Sequence, residues 1–340
     1  MITQSEFSRR RKQLMRMMDK DSIAIIPTTP EQIRNRDVEF PFRADSDFYY
    51  LTGFNEPDAV AVLVPGRRHG EFLLFCRERD PAMETWNGRR AGTEGAVADY
   101  GADDAFPIAD IDDILPGLLE DREQVFYTMG ARPEFDKSVM QWVNRIRQGN
   151  RSGARTPDKF IALEHLLHDM RLYKNRAEVR VMRKAAKVAC SAHIRAMRSC
   201  EPGMHEYEIE AELLHEFRRA GMVPAYSSIV GGGENGCILH YTRNSDRLED
   251  GDLLLIDAGA EYDCYASDVT RTFPVNGRFS APQKALYEVV LAAQTAAIKQ
   301  VRAGNHRNAP HVAAVRVLTR GLIKHCLLKG RPADLIRKEA

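Results

Sequence analysis

The chain has 340 residues, which is long enough for two domains of ordinary size, each with its own hydrophobic core. Hydrophobic residues make up 44% of the chain and charged residues 29%, a balance that is typical of soluble globular proteins. The formal net charge of +1 argues against nucleic acid or an anionic membrane as a partner.

The N-terminus and the cysteines indicate a cytoplasmic protein. Residues 1–11 are polar and lack the apolar core of a signal peptide, and no run of about 18 apolar residues predicts a membrane span. The six cysteines are scattered without a C-x-x-C pair, so neither a disulfide framework nor a zinc knuckle is expected. We therefore predict buried thiols in a reducing compartment, at Cys76, Cys190, Cys200, Cys237, Cys264 and Cys326.

Short apolar runs alternate with helical patterns in the first part of the chain. Helical spacing of apolar residues predicts a helix from Glu6 to Asp19. The predicted strands are Ser22–Pro27, Ala59–Val64, Glu71–Cys76 and Val125–Met129. Strands interleaved with helices predict an α/β layer domain. The basic, turn-rich stretch Arg147–Pro157 then indicates a boundary between a first domain at 1–160 and a second at 161–340.

The second part begins with helical spacing from Ala162 to about Ser199, which Pro202 and Gly203 terminate. A further helix is predicted over Glu206–Ala220. The predicted strands and helices that follow are, in order, strands Ser227–Val230, Cys237–Tyr241, Leu253–Ala258 and Ser267–Val275 and helices Pro282–Val301 and Val312–Leu328.

The segment Leu253–Val275 contains two apolar-rich runs, which predict a β-hairpin. If Asp263 and Cys264 form the turn, Tyr262 faces Tyr265, and every pair of facing residues follows from that pairing. A turn shifted by one residue on one arm would move each side chain to the other face, so the register is conditional on this turn.

This register places two aspartates together. Asp268 lies opposite Gly259, which shares a face with Asp257, so the two carboxylates are diagonal neighbours within reach of one ion. Two buried carboxylates repel each other and lose hydration unless a cation lies between them, and oxygen ligands favour Mn²⁺ or Mg²⁺. The alternative is that both aspartates are solvated or cap turns, although the apolar neighbours Ile256 and Val269 speak against ordinary surface strands.

The glycine-rich segment Gly231–Tyr241 is a second candidate site. Such a run can cradle phosphate, but this one lacks the Lys-Ser/Thr ending of a P-loop and precedes no helix. The alternative is a loop whose bare backbone lets a substrate approach and which delivers His240 on the next strand. Considered alone, His240 is more simply explained as a structural histidine.

Several longer segments resemble the Xaa-Pro aminopeptidase (aminopeptidase P) branch of the pita-bread peptidases, and the resemblance extends along nearly the whole chain. The segments that carry it are Phe40–Val60 and Glu84–Arg90 in the first domain and His168–Ala185, Ser227–Asn244 and Gly251–Phe279 in the second. The last two are highly specific, because their flanks match as well as their aspartates and histidine.

The resemblance implies a creatinase-like N-terminal α/β domain followed by a pita-bread domain, an α/β (α+β) architecture. Asp257 and Asp268 correspond to the first two metal ligands of the family, with Asp268 bridging two Mn²⁺ ions and Asp257 binding one. His240 corresponds to a histidine beside the substrate, where it can hydrogen-bond the scissile carbonyl or the tetrahedral intermediate.

The implied reaction is release of the N-terminal residue from peptides with proline in the second position, by a hydroxide that the two ions hold between them. Members of the family tend to associate, so a homo-oligomer is expected. Trp86 would then lie near a neighbouring subunit's site, or else it is a buried core tryptophan.

The sequence departs from the family pattern near its end. The remaining family ligands, one histidine and two glutamates, lie beyond the segment at which this chain ends, and His306, His311 and His325 match no ligand motif. We therefore expect a C-terminally truncated chain with exposed strand edges and incomplete packing that is inactive by itself.

Two other functions remain open. One is a non-catalytic pita-bread module that binds peptides or proteins, although such a module would not need Asp257 and Asp268. The other is a creatinase-like hydrolase of a small amidino compound, against which the metal-type aspartates and their flanks argue. Metal content separates the metallopeptidase from both.

Overall fold

The computed structural model describes residues 2–149 and 153–339. The predicted boundary stretch Arg147–Pro157 therefore falls partly outside the described residues, at 150–152. Two compact units are present: the first extends to Ala186 and also contains Glu261–Ser267, and the second contains Lys187–Ala260 and the chain from Asp268 onward. The predicted division after residue 160 stays a prediction.

The elements of the first part of the chain interleave as the sequence predicts. Its helices are α1 (Gln4–Met17), α2 (Ser46–Thr52), α3 (Pro81–Asn87), α4 (Gly92–Ala98), α5 (Ile111–Leu119), α6 (Pro133–Gln148) and α7 (Leu163–Leu172). Its strands are β1 (Ser22–Pro27), β2 (Ile33–Asn35), β3 (Val38–Glu39), β4 (Val60–Leu63), β5 (Phe72–Cys76), β6 (Asp104–Pro107), β7 (Gln124–Phe126) and β8 (Lys159–Ile161).

A six-stranded mixed sheet in the order β6-β5-β4-β1-β7-β8 forms the centre of the first unit. Alternate residues of β1 belong to two separate hydrophobic clusters, because successive side chains of a strand point to opposite faces. Ala24 and Ile26 pack with α1, α2 and α7, whereas Ile23 and Ile25 pack with α5 and α6. Helices thus cover both faces of the sheet, as in an α/β layer domain.

The elements that follow belong mainly to the second unit. The helices are α8 (Arg176–Ser199), α9 (Glu206–Arg219), α10 (Ala281–Ile298), α11 (Ala309–Lys324) and α12 (Pro332–Glu339). The strands are β9 (Val223–Pro224), β10 (Ile229–Gly232), β11 (Leu253–Ala258), β12 (Ala260–Tyr262), β13 (Tyr265–Ala266) and β14 (Val269–Pro274).

An antiparallel sheet in the order β10-β11-β14 forms the framework of the second unit. Within the described residues β14 lies at the border of this sheet, and a groove of about 500 Å³ separates it from α10. Ala293 is the one buried residue that α10 contributes in this part of the chain, while Val290 and Leu291 are about half exposed. The packing of α10 is thus loose in this part of the chain, and the truncation of the chain stays a prediction.

The predicted continuous helical segment from Ala162 to Ser199 is wrong in one respect, since α7 ends at Leu172 and α8 begins at Arg176. Asn175 caps α8: its side-chain Oδ1 accepts hydrogen bonds from the backbone N–H groups of Ala177 and Glu178 at 2.8 and 3.0 Å. The carboxylate of Glu178 accepts the backbone N–H of Asn175 at 2.8 Å in return. This reciprocal capping starts a new helix at Arg176, although the spacing of apolar residues is helical throughout the segment.

Two further observations concern membranes and thiols. No helix in the described residues is long and apolar enough to cross a membrane. All six cysteines are free thiols, but the prediction that all are buried is wrong: Cys76 is buried, two are half-buried and three are exposed. Apolar residue type alone does not determine burial, because cysteine is small enough to be accommodated on a helix surface or in a turn.

Candidate functional site

The hairpin that carries the two aspartates has the predicted register. Tyr262 pairs with Tyr265 across the turn, and Asp257 pairs with Thr270 in the β11–β14 ladder. Both turn residues, Asp263 and Cys264, have positive φ angles of 50° and 60°. Two consecutive left-handed residues make a turn whose twist matches that of the strands, which is why the hairpin forms here without slipping.

Asp257 and Asp268 meet at one tyrosine. The hydroxyl of Tyr226 lies 2.5 Å from Oδ1 of Asp257 and 3.0 Å from Oδ1 of Asp268, so it donates to one carboxylate at a time. Burial raises the pKa of the Tyr226 phenol, and its hydrogen bonds to the two carboxylates raise that pKa further. The phenol therefore keeps its proton and remains a donor. The predicted convergence of the two aspartates on one face is confirmed.

The expectation that both carboxylates are buried is wrong. Asp257 is half-buried between the fully buried Ile256 and Ala258, whereas Asp268 is exposed. Asp268 immediately precedes β14, the strand at the border of the sheet, so water reaches its side chain. Mutual repulsion is consequently weaker than for two desolvated carboxylates.

The oxygen donors of this pair fit a hard divalent cation. The Oδ1 atoms of Asp257 and Asp268 both lie within hydrogen-bonding distance of the Tyr226 hydroxyl. One cation near the position of that hydroxyl is therefore within reach of both oxygens. In the described ranges no group of three or more His, Cys, Asp or Glu side chains is arranged to hold a metal. That His306, His311 and His325 supply no further ligand stays a prediction.

The loop of residues 232–246, here called the histidine loop, differs from the prediction. The segment Cys237–Tyr241 is not a strand: a 3₁₀ turn spans Gly233–Cys237, and His240 follows in a further turn. His240 is exposed to solvent. A neutral or protonated imidazole at such a position is free to contact a bound molecule.

Glycine is needed here because the chain folds tightly on itself. A Cβ atom on Gly231 would lie 2.8 Å from the carbonyl carbon of Asn235, and one on Gly232 would lie 2.5 Å from a methyl group of Leu248. Gly233 has a φ of 52°, a conformation that residues with a side chain rarely adopt. These glycines therefore permit close backbone packing, and the phosphate-binding alternative has no support from their geometry.

A buried carboxylate holds the histidine loop. Glu206, the first residue of α9, has no solvent exposure, and its two oxygens accept four hydrogen bonds from residues of this loop. Asn244 adds a second attachment, since its Oδ1 accepts the backbone N–H of Val230 at 3.0 Å and its Nδ2 donates to the carbonyl of Ser228 at 2.9 Å.

Sequence reasoning missed both Tyr226 and Glu206. Tyr226 lies 31 and 42 positions from the aspartates it contacts, and no periodicity relates residues so far apart. Glu206 stands in the first turn of a helix, where an acidic residue is ordinarily explained by the helix dipole. Only the folded chain reveals that its carboxylate points inward.

Trp86 belongs to α3 of the first unit and is 84% exposed. The alternative that it is a buried core tryptophan is therefore wrong. Met83, on the same short helix, is also exposed, so α3 presents apolar surface to solvent.

Comparison with known proteins identifies the family. The sequence profile of Metallopeptidase family M24 matches residues 180–331, and that of the Aminopeptidase P, N-terminal domain matches residues 7–127. The Xaa-Pro aminopeptidase of Escherichia coli (strain K12) is 42% identical over 341 residues, which cover 100% of this chain and 77% of that protein. The chain belongs to the Xaa-Pro aminopeptidase family.

Solved structures agree with this assignment. Pseudomonas aeruginosa aminopeptidase PepP is 60% identical with a TM-score of 0.98, over 99% of this chain and 77% of that one. Zinc-substituted Escherichia coli aminopeptidase P in complex with product is 42% identical with a TM-score of 0.97, over the same shares of the two chains. The predicted fold, an aminopeptidase P N-terminal domain followed by an M24 pita-bread domain, is confirmed, and Xaa-Pro aminopeptidases are metal-dependent exopeptidases that act on peptides.

Proposed function

We propose that this Xaa-Pro aminopeptidase releases the N-terminal residue from peptides with proline in the second position, and that its metal is Mn²⁺. The observation that carries the proposal is the convergence of Asp257 and Asp268 on the hydroxyl of Tyr226. The donors on this face are the carboxylate oxygens of Asp257 and Asp268, which suit Mn²⁺ better than a metal that prefers thiolate.

The two aspartates have different tasks in this proposal. Asp268, exposed at the start of β14, would contact two ions, while the half-buried Asp257 would hold one of them. When bound, such ions supply Lewis acidity for the attack of water on a peptide carbonyl. The hydroxyl of Tyr226 donates to one of the two carboxylates at a time, and the Oδ1 atoms of both aspartates lie within hydrogen-bonding distance of it.

His240 and Trp86 would contact the substrate. The exposed imidazole of His240 can donate a hydrogen bond to the scissile carbonyl or to the tetrahedral intermediate, where negative charge develops. We propose that Trp86 completes the site of a neighbouring subunit in a homo-oligomer, which agrees with its exposure. We also propose a cytoplasmic location, for which the free thiols are the support.

We propose that Asp257 and Asp268 are not sufficient for activity and that the active enzyme needs further metal ligands. Two carboxylates do not hold a catalytic pair of ions, and the described residues provide no larger group of metal ligands. The relatives named above extend beyond the matched region, since the chain spans 77% of each of them. Further ligands are expected from a segment equivalent to their remaining part.

The test is Mn²⁺-dependent release of the first residue from an Xaa-Pro-Xaa peptide, with the matching Xaa-Ala-Xaa peptide as specificity control. We would compare the 340-residue chain with the same chain extended by the C-terminal part of the Pseudomonas aeruginosa relative, and each with its Asp268→Asn variant. Activity only in the extended chain, lost in the variant, is expected. Equal cleavage of the two peptides, or full activity of the shorter chain, would contradict the proposal.

A further inference from the structure

We propose that Glu206 is a positioning residue for His240, because its buried carboxylate fixes the histidine loop on both sides of that imidazole. The inference rests on the proposed function, in which His240 contacts the substrate. It adds a residue that touches neither metal nor substrate but determines where His240 is held.

The four donors to Glu206 bracket His240 along the chain. Before it, the backbone N–H of Gly232 and the side-chain amide of Asn235 donate to Oε1 at 2.8 and 3.0 Å. After it, the hydroxyl of Tyr241 and the backbone N–H of Asp246 donate to Oε2 at 2.6 and 2.9 Å. One carboxylate thereby connects the beginning and the end of the loop, and its donor Tyr241 is the immediate neighbour of His240.

Charge makes this connection stronger than four ordinary hydrogen bonds. Glu206 is fully buried, and among the residues that the structure describes no cationic side chain pairs with it. Its compensation consists of the loop donors and the N-terminus of α9, whose dipole favours a negative group there. If the loop moved away, a buried charge would lose its partners, so the loop is held in one conformation.

When the carboxylate of Glu206 is replaced by the isosteric amide of glutamine, we expect the histidine loop to become less firmly held at its end but not at its beginning. In Glu206→Gln one oxygen becomes an NH₂ group that faces donors. The hydroxyl of Tyr241 can rotate to accept from that group, whereas the N–H groups of Gly232 and Asp246 cannot. The amide therefore turns its nitrogen toward Tyr241, Gly232 keeps its acceptor, and Asp246 loses its own.

The first measurement is hydrogen exchange of the 340-residue chain. In Glu206→Gln the amide of Asp246 should exchange at least about tenfold faster, since a hydrogen bond to a charged group is lost, while the amide of Gly232 changes little. Glu208→Gln is the matched control, because Glu208 lies on the same helix turn but accepts from His205 at the helix start. Unchanged exchange at Asp246 would overturn the proposal.

The second measurement separates positioning from simple structural support. In the extended, active chain, Glu206→Gln should lower kcat about tenfold with KM and bound Mn²⁺ unchanged, the same pattern that is expected for His240→Ala. Glu208→Gln should leave kcat, KM and bound Mn²⁺ unchanged. Faster exchange without a loss of kcat would overturn the positioning role. If His240→Ala itself leaves kcat unchanged, the failure lies in the proposed role of His240, and the exchange result still decides whether Glu206 fixes the loop.

A milder variant keeps the proposal testable if Glu206→Gln does not fold. Tyr241→Phe removes one donor and keeps the carboxylate and the other three hydrogen bonds. It should raise exchange at Ser245 and Asp246 by a few-fold and lower kcat in proportion. Wild-type exchange and wild-type kcat in this variant would contradict the inference.

Discussion

The hairpin Leu253–Val275 and the histidine loop are neighbours along the chain, yet they are held by different kinds of interaction. The hairpin is determined locally, by two apolar strands and a turn of two left-handed residues. The histidine loop is determined from a distance, by a glutamate on another element that precedes it by 26 to 40 residues. Local patterns thus position the two aspartates that we propose as metal ligands, whereas a remote buried carboxylate holds the loop that carries His240.

The largest expected effect concerns the two proposed metal ligands on the hairpin, Asp257 and Asp268. Asp257→Asn or Asp268→Asn in the extended chain should lower Mn²⁺ affinity by about 100-fold or more. The reason is that replacing even a residue that only hydrogen-bonds a metal ligand lowers metal affinity or activity by ~10–100-fold. Isothermal titration with Mn²⁺ measures this change, and Asp263→Asn at the turn of the same hairpin is the control. Retained affinity in both ligand variants would place the metal elsewhere.

A glycine substitution tests the tight packing of the histidine loop. Gly231→Ala places a Cβ 2.8 Å from backbone atoms of Asn235 and Gly236, which cannot rotate away. We expect a loss of about 1–3 kcal/mol in the free energy of unfolding, as for overpacked cores. Urea denaturation measures it against Gly117→Ala, a position where nothing lies within 4 Å. Equal stability of the two variants would show that the loop is looser than described.

Tyr226→Phe tests the contact that joins the two aspartates without a metal. The hydroxyl donor is lost, so the two carboxylates face each other with water as their remaining partner, at a cost of about 1 kcal/mol. Urea denaturation with EDTA present measures the difference, with the half-exposed Tyr207→Phe as control. Added Mn²⁺ should reduce the difference in the extended chain, and a larger difference with Mn²⁺ would contradict this account.

The smallest expected effect is the pH dependence of the stabilisation that one tyrosine contributes in each region, Tyr226 beside the aspartates and Tyr241 in the histidine loop. Burial raises the pKa of Tyr226 and of Tyr241 above the usual 10.0, and donation to carboxylates raises both further. Since the folded-state pKa exceeds the unfolded one, the stabilisation from each phenol is complete below pH 10.0 and is lost as the pH rises through the folded value. Spectroscopic titration of tyrosinate in the two Phe variants measures which phenol ionises late; ionisation of either at its usual pH would contradict the contacts described.

Much of the architecture was predictable from the sequence. Ser22–Pro27 and Leu253–Ala258 are strands with the predicted bounds, because continuous or alternating apolar runs flanked by turn residues have few other folds available. The register of the hairpin followed from its turn, and with it the meeting of Asp257 and Asp268.

The remainder depended on single side chains that no periodicity specifies. Asn175 divides a helical run by capping, Tyr226 joins the aspartates, and Glu206 turns a glycine-rich segment into a compact loop instead of a strand. Tyr226 and Glu206 contact residues that are distant in sequence. Asn175 instead stabilises a local turn that competes with continuation of the helix. Apolar patterning predicts layers and registers, but it carries no information about such pairings.

The border strand β14 has a practical consequence for this chain in solution. Its outer backbone groups and the adjoining apolar groove along α10 can accept a strand from another molecule, which is the usual beginning of edge-to-edge aggregation. Arg271, exposed within β14, is the charged residue that opposes such pairing. Loss of this positive charge is therefore expected to lower the concentration at which the purified protein stays in solution.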